Sequence, residues 1–163
     1  MKKIVVFGLL AVIGIYGTGR ATLGEAGAMR FVLEMDALMN EGRADEVCAM
    51  FHDDLEVDIE DHTSGATENV AGGKQELCDR TRDAVESLKK LPHTMRVEFN
   101  DVTVKRDWLH PWTSEVSYTE GRVLIIRGAN VTISTTSNDV ITLVQTFSGV
   151  KLRKLKAEAF LNE

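Results

Sequence analysis

The chain lacks several things, and each absence removes a class of function. There is no basic run and no alternation of basic and aromatic side chains, and the formal net charge is −6. The first 24 residues hold Lys2, Lys3 and Arg20 but no acid, so the remainder carries about −9. A surface that acidic repels phosphate backbones and anionic lipid headgroups, which argues against nucleic acid as a partner. Nucleophile elbow, phosphate-binding glycine loop, HExxH and CxxC are all missing, so the chemistries those motifs carry have no foothold and no cofactor is implied. The one long apolar run, residues 4–17, is 14 residues, short of the ~20 that span a bilayer. Internal repeats, low-complexity segments and linkers are also absent. Cysteine is limited to Cys48 and Cys78, too few ligands for a metal site by themselves.

Those two cysteines and the apolar run bear on where the chain works. MKK, the run IVVFGLLAVIGIYG and the small, polar TGRATLG have the layout of a secretory signal, with Gly19-Arg20-Ala21 at the cleavage position. The alternative is an uncleaved anchor, the only case in which a membrane becomes a partner. No cysteine follows the run, which argues against a lipoprotein. In either case the body is expected outside the cytoplasm, periplasmic or secreted in a bacterium. Residues 1–21 are then a signal or anchor and residues 22–163 one domain, long enough for a proper core. In an exported chain, Cys48 and Cys78 are either a disulfide closing a loop of about 30 residues or two buried thiols acting as small hydrophobes.

What is present is clear periodicity. Phe31, Val32, Met35, Leu38 and Met39 form one face of a helix, with Arg30, Glu34, Asp36 and Glu41 off the stripe. Gly42 is a helix stop. A short helix carries Ala44, Val47, Cys48 and Phe51. The stretch FHDDLEVDIEDH, residues 51–62, holds six acids. Leu55, Val57 and Ile59 alternate with Glu56, Asp58 and Glu60, so the reading is a half-buried strand with acids on its solvent face. A calcium loop would need glycine at its sixth position, where Ile stands. Asp53 and Asp54 read as turn residues, and HTSGATENVAGG as a loop. A third helix runs from about Lys74 to Lys90 and ends at Pro92. Everything after His93 reads as strands. A phase flip at Asn100-Asp101 and another at Gly121 each point to a bulge. Ile141, Leu143 and Phe147 continue the strand that Val131 and Ile133 begin, or form the next. The expected architecture is α+β: three N-terminal helices packed on a curved, mostly antiparallel sheet that encloses a cone-shaped pocket.

With those elements in place, the segments MDALMNEGRADEVCAMFHDDLEVDIEDHTSG and LPHTMRVEFNDVTV resemble the nuclear transport factor 2-like superfamily, the cone fold that includes SnoaL-like cyclases and ketosteroid isomerases. The resemblance runs from about Met29 to Phe160 and implies a cavity within the sheet. Counting from Gly42 and Asp53-Asp54, the isomerase base falls on Ile59 and its oxyanion tyrosine on Met35. Neither can abstract a proton or donate a hydrogen bond, so that mechanism is not carried over. The expected function is binding of a small apolar or amphipathic molecule or of a partner, with Phe31, Met35, Val57, Ile59, Tyr118 and Trp112 lining the pocket. The resemblance also implies a homodimer through the sheet's outer face. The competing expectation is a SnoaL-type isomerase, lyase or hydrolase using Asp61, the one acid of β parity facing inward, paired with His93. A third is a membrane-tethered interaction module. No metal is expected, since His52 and His62 are ten residues apart on an extended segment.

Overall fold

The stripe on the first helix finds its partner. In the computed structural model, which describes residues 23–64, 67–106, 109–129 and 131–162, helix α1 spans Glu25–Asn40 and buries Ala28, Phe31, Val32 and Leu38. The chain leaves it through Gly42, whose φ of +75° is a conformation glycine adopts without a Cβ penalty. Helix α2, Ala44–Ala49, buries Val47 and Cys48. Strand β1, Phe51–Asp61, keeps Leu55 and Val57 buried and Ile59 half-buried, with Glu56, Asp58 and Glu60 exposed. This is the parity expected from the sequence. Asp53 and Asp54 lie within the strand at an irregularity in its pairing between Phe51 and Glu56, not in a preceding turn.

One edge strand of the six is not legible in the sequence. Strand β2, Glu68–Gly72, pairs antiparallel with β1 inside the segment that reads as loop. Its single buried apolar residue, Val70, leaves no alternation to detect. Helix α3 spans Lys74–Lys89. The remaining strands are β3, His93–Arg106, β4, Thr113–Ile126, β5, Val131–Thr146, and β6, Gly149–Leu161. The sheet order is β2-β1-β6-β5-β4-β3. Every neighbouring pair is antiparallel except β1 with β6. The chain thus crosses from β1 over α3 to the far edge and meanders back to lie beside its own start.

The bulge expected at Asn100-Asp101 is there: the β3–β4 register shifts between Asn100 and Thr103 and Asp101 has φ +54°. The one expected at Gly121 is not, because β4 pairs without a break with β5 from Thr113 to Ile126. Phe147 is a second correction. It belongs to the β5–β6 turn and is fully exposed, outside the strand that Ile141 and Leu143 anchor. The helices cover the inner face of the curved sheet. There Phe31, Val32, Val47, Phe51, Leu55, Val57, Val116, Ile141, Leu143 and Leu152 form one core. The disulfide between Cys48 and Cys78 is formed and ties α2 to α3. Residues 1–21, the stretch read from sequence as a signal or anchor, lie outside the described residues. Among those residues, no helix is long and apolar enough to cross a membrane.

Candidate functional site

The inner face of β4 explains the false bulge. With unbroken register, Val116, Tyr118, Glu120 and Arg122 all point the same way, toward the helices. Positions 120 and 122 are charged where the pattern calls for apolar residues. The apolar alternation therefore passes to Val123 and Ile125 on the outer face, and the eye sees a slip in phase. The cause is two charges turned inward.

Those charges sit at a cavity of about 140 Å³ inside the cone. Its walls are mainly apolar: Val32, Met35 and Met39 from α1, Val47 from α2, Leu77 from α3, and Phe51, Phe99, Leu152 and Leu155 from the sheet. Its polar members are Asp36, Thr81, Glu120 and Arg122. Thr81 is internally satisfied, its hydroxyl donating to the Leu77 carbonyl at 2.7 Å. The guanidinium of Arg122 lies 2.6 Å from Glu120 Oε1 and 3.8 Å from Asp36 Oδ1. Asn40 Nδ2 donates to Asp36 Oδ2 at 3.0 Å. Burial raises the Asp36 carboxyl above its ordinary range, with Arg122 and Asn40 pulling the other way.

One layer deeper, Tyr118 meets Asp139 directly across β4 and β5. Tyr118 is buried beside Asp139 and packed edge-on against Phe99 with ring centres 5.6 Å apart. Burial, then the nearby Glu120 charge, push Asp139 up to about 6, against hydrogen bonds from Ser137 and Tyr118. The Tyr118 hydroxyl is raised as well, by burial first and Asp139 second. Among the described residues, four side-chain atoms are buried without a hydrogen-bond partner in the protein: Asp36 Oδ1, Arg122 Nε and Asp139 Oδ1 here, and Ser114 Oγ elsewhere on β4. Three of the four therefore lie in and just behind one side of an otherwise apolar hollow.

The residues expected from sequence fall differently. Met35 lines the cavity. Val57 is buried in the core, with Ile59 packed against it. Phe31 is also core and backs a separate depression with Arg30, Glu34 and Lys151. Tyr118 stands behind Phe99 and not at the mouth. Trp112 is 47% exposed on the β3–β4 connection. Asp61 and His93 are not brought together. β6, β5 and β4 lie between their strands, four strand spacings or about 19 Å along the sheet. Asp61 Oδ1 accepts from the Thr63 amide at 2.8 Å, and the His93 ring bonds the Leu91 carbonyl at 2.9 Å. Both side chains serve local turns. Asp36, Glu120, Arg122 and Asp139 are what sequence reading missed. The available signal was the pair of charges at inward parity on β4.

No family model and no curated protein matches the chain in sequence, whereas solved structures do. An NTF2-like protein with a cystatin-like fold from Novosphingobium aromaticivorans matches at TM-score 0.57 and 14% identity, over 79% of this chain and 77% of that one. A scytalone dehydratase-like protein from the same organism matches at 0.59 and 12%, over 83% and 82%. A chain assigned as the beta subunit of an aromatic-ring-hydroxylating dioxygenase, also from that organism, matches at 0.60 and 16%, over 88% and 93%. The chain has the nuclear transport factor 2-like, cystatin-like fold.

Proposed function

We propose that this is an exported binding domain whose cone holds one small, mainly apolar molecule carrying a single hydrogen-bond-donating or cationic group. The observation that carries this reading is the one-sided polarity of the cavity. Apolar walls supply the binding free energy, roughly 25 cal/mol per Å² covered, and the polar groups fix orientation. Two carboxylates, Asp36 and Glu120, share one guanidinium, so the polar side is acceptor-rich and prefers an amine or hydroxyl over a carboxylate. The volume sets the size. An apolar cavity of about 150 Å³ takes benzene, so a one-ring or short-chain molecule fits the cone. The disulfide supports an oxidising compartment, and therefore export.

Ligand retention is the direct test. Native mass spectrometry of protein from its own host is expected to show a bound small molecule. In thermal-shift assays, benzylamine and phenol are expected to raise Tm and benzoate to have no effect. The variant M35W, which fills the hollow, is expected to weaken binding by about tenfold or more, ~1.4 kcal/mol, with folding retained. Binding of benzoate in preference to benzylamine would overturn the assignment.

A second reading has its own observation. A buried carboxyl near 6 beside a tyrosine is poised for proton transfer, and one structural neighbour is named for a dehydratase. Under that reading Asp139 and Tyr118 would act through Glu120, and E120Q would abolish turnover while leaving ligand retention intact.

A further inference from the structure

The outer face of the sheet carries an unbalanced pair. Along the parallel β1–β6 seam, three outward register pairs follow one another: Glu56 with Lys154, Asp58 with Lys156, and Glu60 with Glu158. The first two match acid to base, and Lys154 reaches Glu56 at 3.2 Å. The third sets acid against acid, an arrangement that destabilises neighbouring strands unless something positive sits between them. Among the described residues, the one ion-pair partner of either carboxylate is His62, whose Nε2 lies 3.9 Å from Glu60 Oε2 and 3.6 Å from Glu158 Oε1.

His62 is held for that position. Its amide continues the ladder by donating to the Ala159 carbonyl at 2.8 Å. Its ring stacks on Phe160 with centres 5.1 Å apart and planes 12° apart. Its Nδ1 shares a hydrogen bond with Thr67 Oγ1 at 3.0 Å. When Nδ1–H donates to Thr67, the lone pair on Nε2 faces two carboxylates, and three donors converge with no counter-charge. A fixed imidazole whose far nitrogen is hydrogen-bonded is also the way protein metal sites orient histidine.

We propose that Glu60, His62 and Glu158 form a divalent transition-metal site, of the zinc class, that fastens β1 to β6. The three ligand atoms lie within 4.8 Å of one another. Ligands at usual zinc distances sit about 3.4 Å apart in a tetrahedral shell, so the two histidine–carboxylate spacings of 3.9 and 3.6 Å need to close by about half an ångström or less, and the two carboxylate oxygens, within 4.8 Å of each other, by about 1.4 Å at most. Both glutamates are half exposed, which leaves them free to make that movement. One imidazole with two carboxylates suits zinc or its neighbours and discriminates against magnesium and calcium, which take oxygen alone. Three protein ligands leave a coordination position open to water or to a partner's side chain.

Calorimetry with zinc on untagged protein at pH 7.5, in excess magnesium, tests the site. One equivalent is expected to bind. H62A and E158Q are each expected to weaken it by about tenfold or more, and T67V by about tenfold through the histidine's orientation. H52A, which removes a histidine near Asp53 and Asp54 instead, is expected to leave it unchanged. E158Q is isosteric and exposed, so it keeps the fold, and a thermal melt without metal checks this. Absence of zinc uptake, or uptake lost with H52A and retained in H62A and E158Q, would overturn the proposal.

Discussion

Replacing Cys48 and Cys78 together by alanine is expected to cost about 3–4 kcal/mol of stability, the chain-entropy value for a closed loop of about 30 residues. For a domain of this size that lowers Tm by about 10 °C. Both half-cystines are buried, at 7% and 4% exposure, so alanine introduces no unpaired polar group and only a small void. The effect also reaches the cavity. Val47 and Leu77, each next to one half-cystine, line it, and the bridge holds α2 and α3 at a fixed spacing. Urea melts of oxidised protein, dithiothreitol-treated protein and the double variant check this. The last two are expected to coincide, with ligand affinity reduced in both. Equal stability of the oxidised protein and the double variant, or two titratable thiols in the native protein, would show that no bridge forms.

The second large effect is pH-dependent and belongs to Asp139. Its carboxyl titrates near 6 in the folded protein, chiefly through burial and then the Glu120 charge. In the unfolded chain it titrates near 4. Between those values the native state holds a proton that the unfolded state has released, so raising the pH through that window lowers stability. A gap of that size corresponds to about 3 kcal/mol, and local relaxation brings the expected loss to about 2 kcal/mol. D139N removes the charge and keeps the side chain's size and an acceptor oxygen opposite Tyr118. It is expected to be about 1–2 kcal/mol more stable than wild type at pH 8 and to show no advantage at pH 4. The difference between the two proteins is the quantity to follow. It cancels exposed acids such as Glu46 and Asp53, which are lowered by hydrogen bonds from Arg43 and Lys74 and act with the opposite sign. A variant less stable than wild type at pH 8 would mean that the ionised carboxylate is the stabilised form.

These results bear on the cone as a binding site. Asp139 and Tyr118 lie behind Phe99, whose ring both lines the cavity and packs on Tyr118. The charge of Glu120 at the cavity is in turn felt by Asp139. An acceptor-rich cavity side with a protonatable carboxyl behind it becomes less negative as pH falls. A cationic ligand would then be held less tightly in acid, an effect that the D139N variant reduces and that Asp36 retains.

Short stretches of the chain specify the local features. The stripe of Phe31, Val32, Met35 and Leu38, the stop at Gly42, the end of α3 before Pro92 and the bulge at Asn100-Asp101 all follow from residues within a few positions of one another. So does the parity of β1, with Leu55, Val57 and Ile59 inside and Glu56, Asp58 and Glu60 outside. Backbone geometry alone sets where neighbouring side chains point, so such features are written in a short window. The assembled sheet alone sets which distant residues share a neighbourhood. It placed three strands between Asp61 and His93. It gathered Asp36, Glu120 and Arg122 at one cavity from α1 and β4, paired Glu60 with Glu158 across a parallel seam, and closed the bridge between Cys48 and Cys78. Strand order and long-range register come from the packing of the whole sheet against its helices. No single segment carries that, and so Glu120 and Arg122 read as a break in the pattern when they were facing the site.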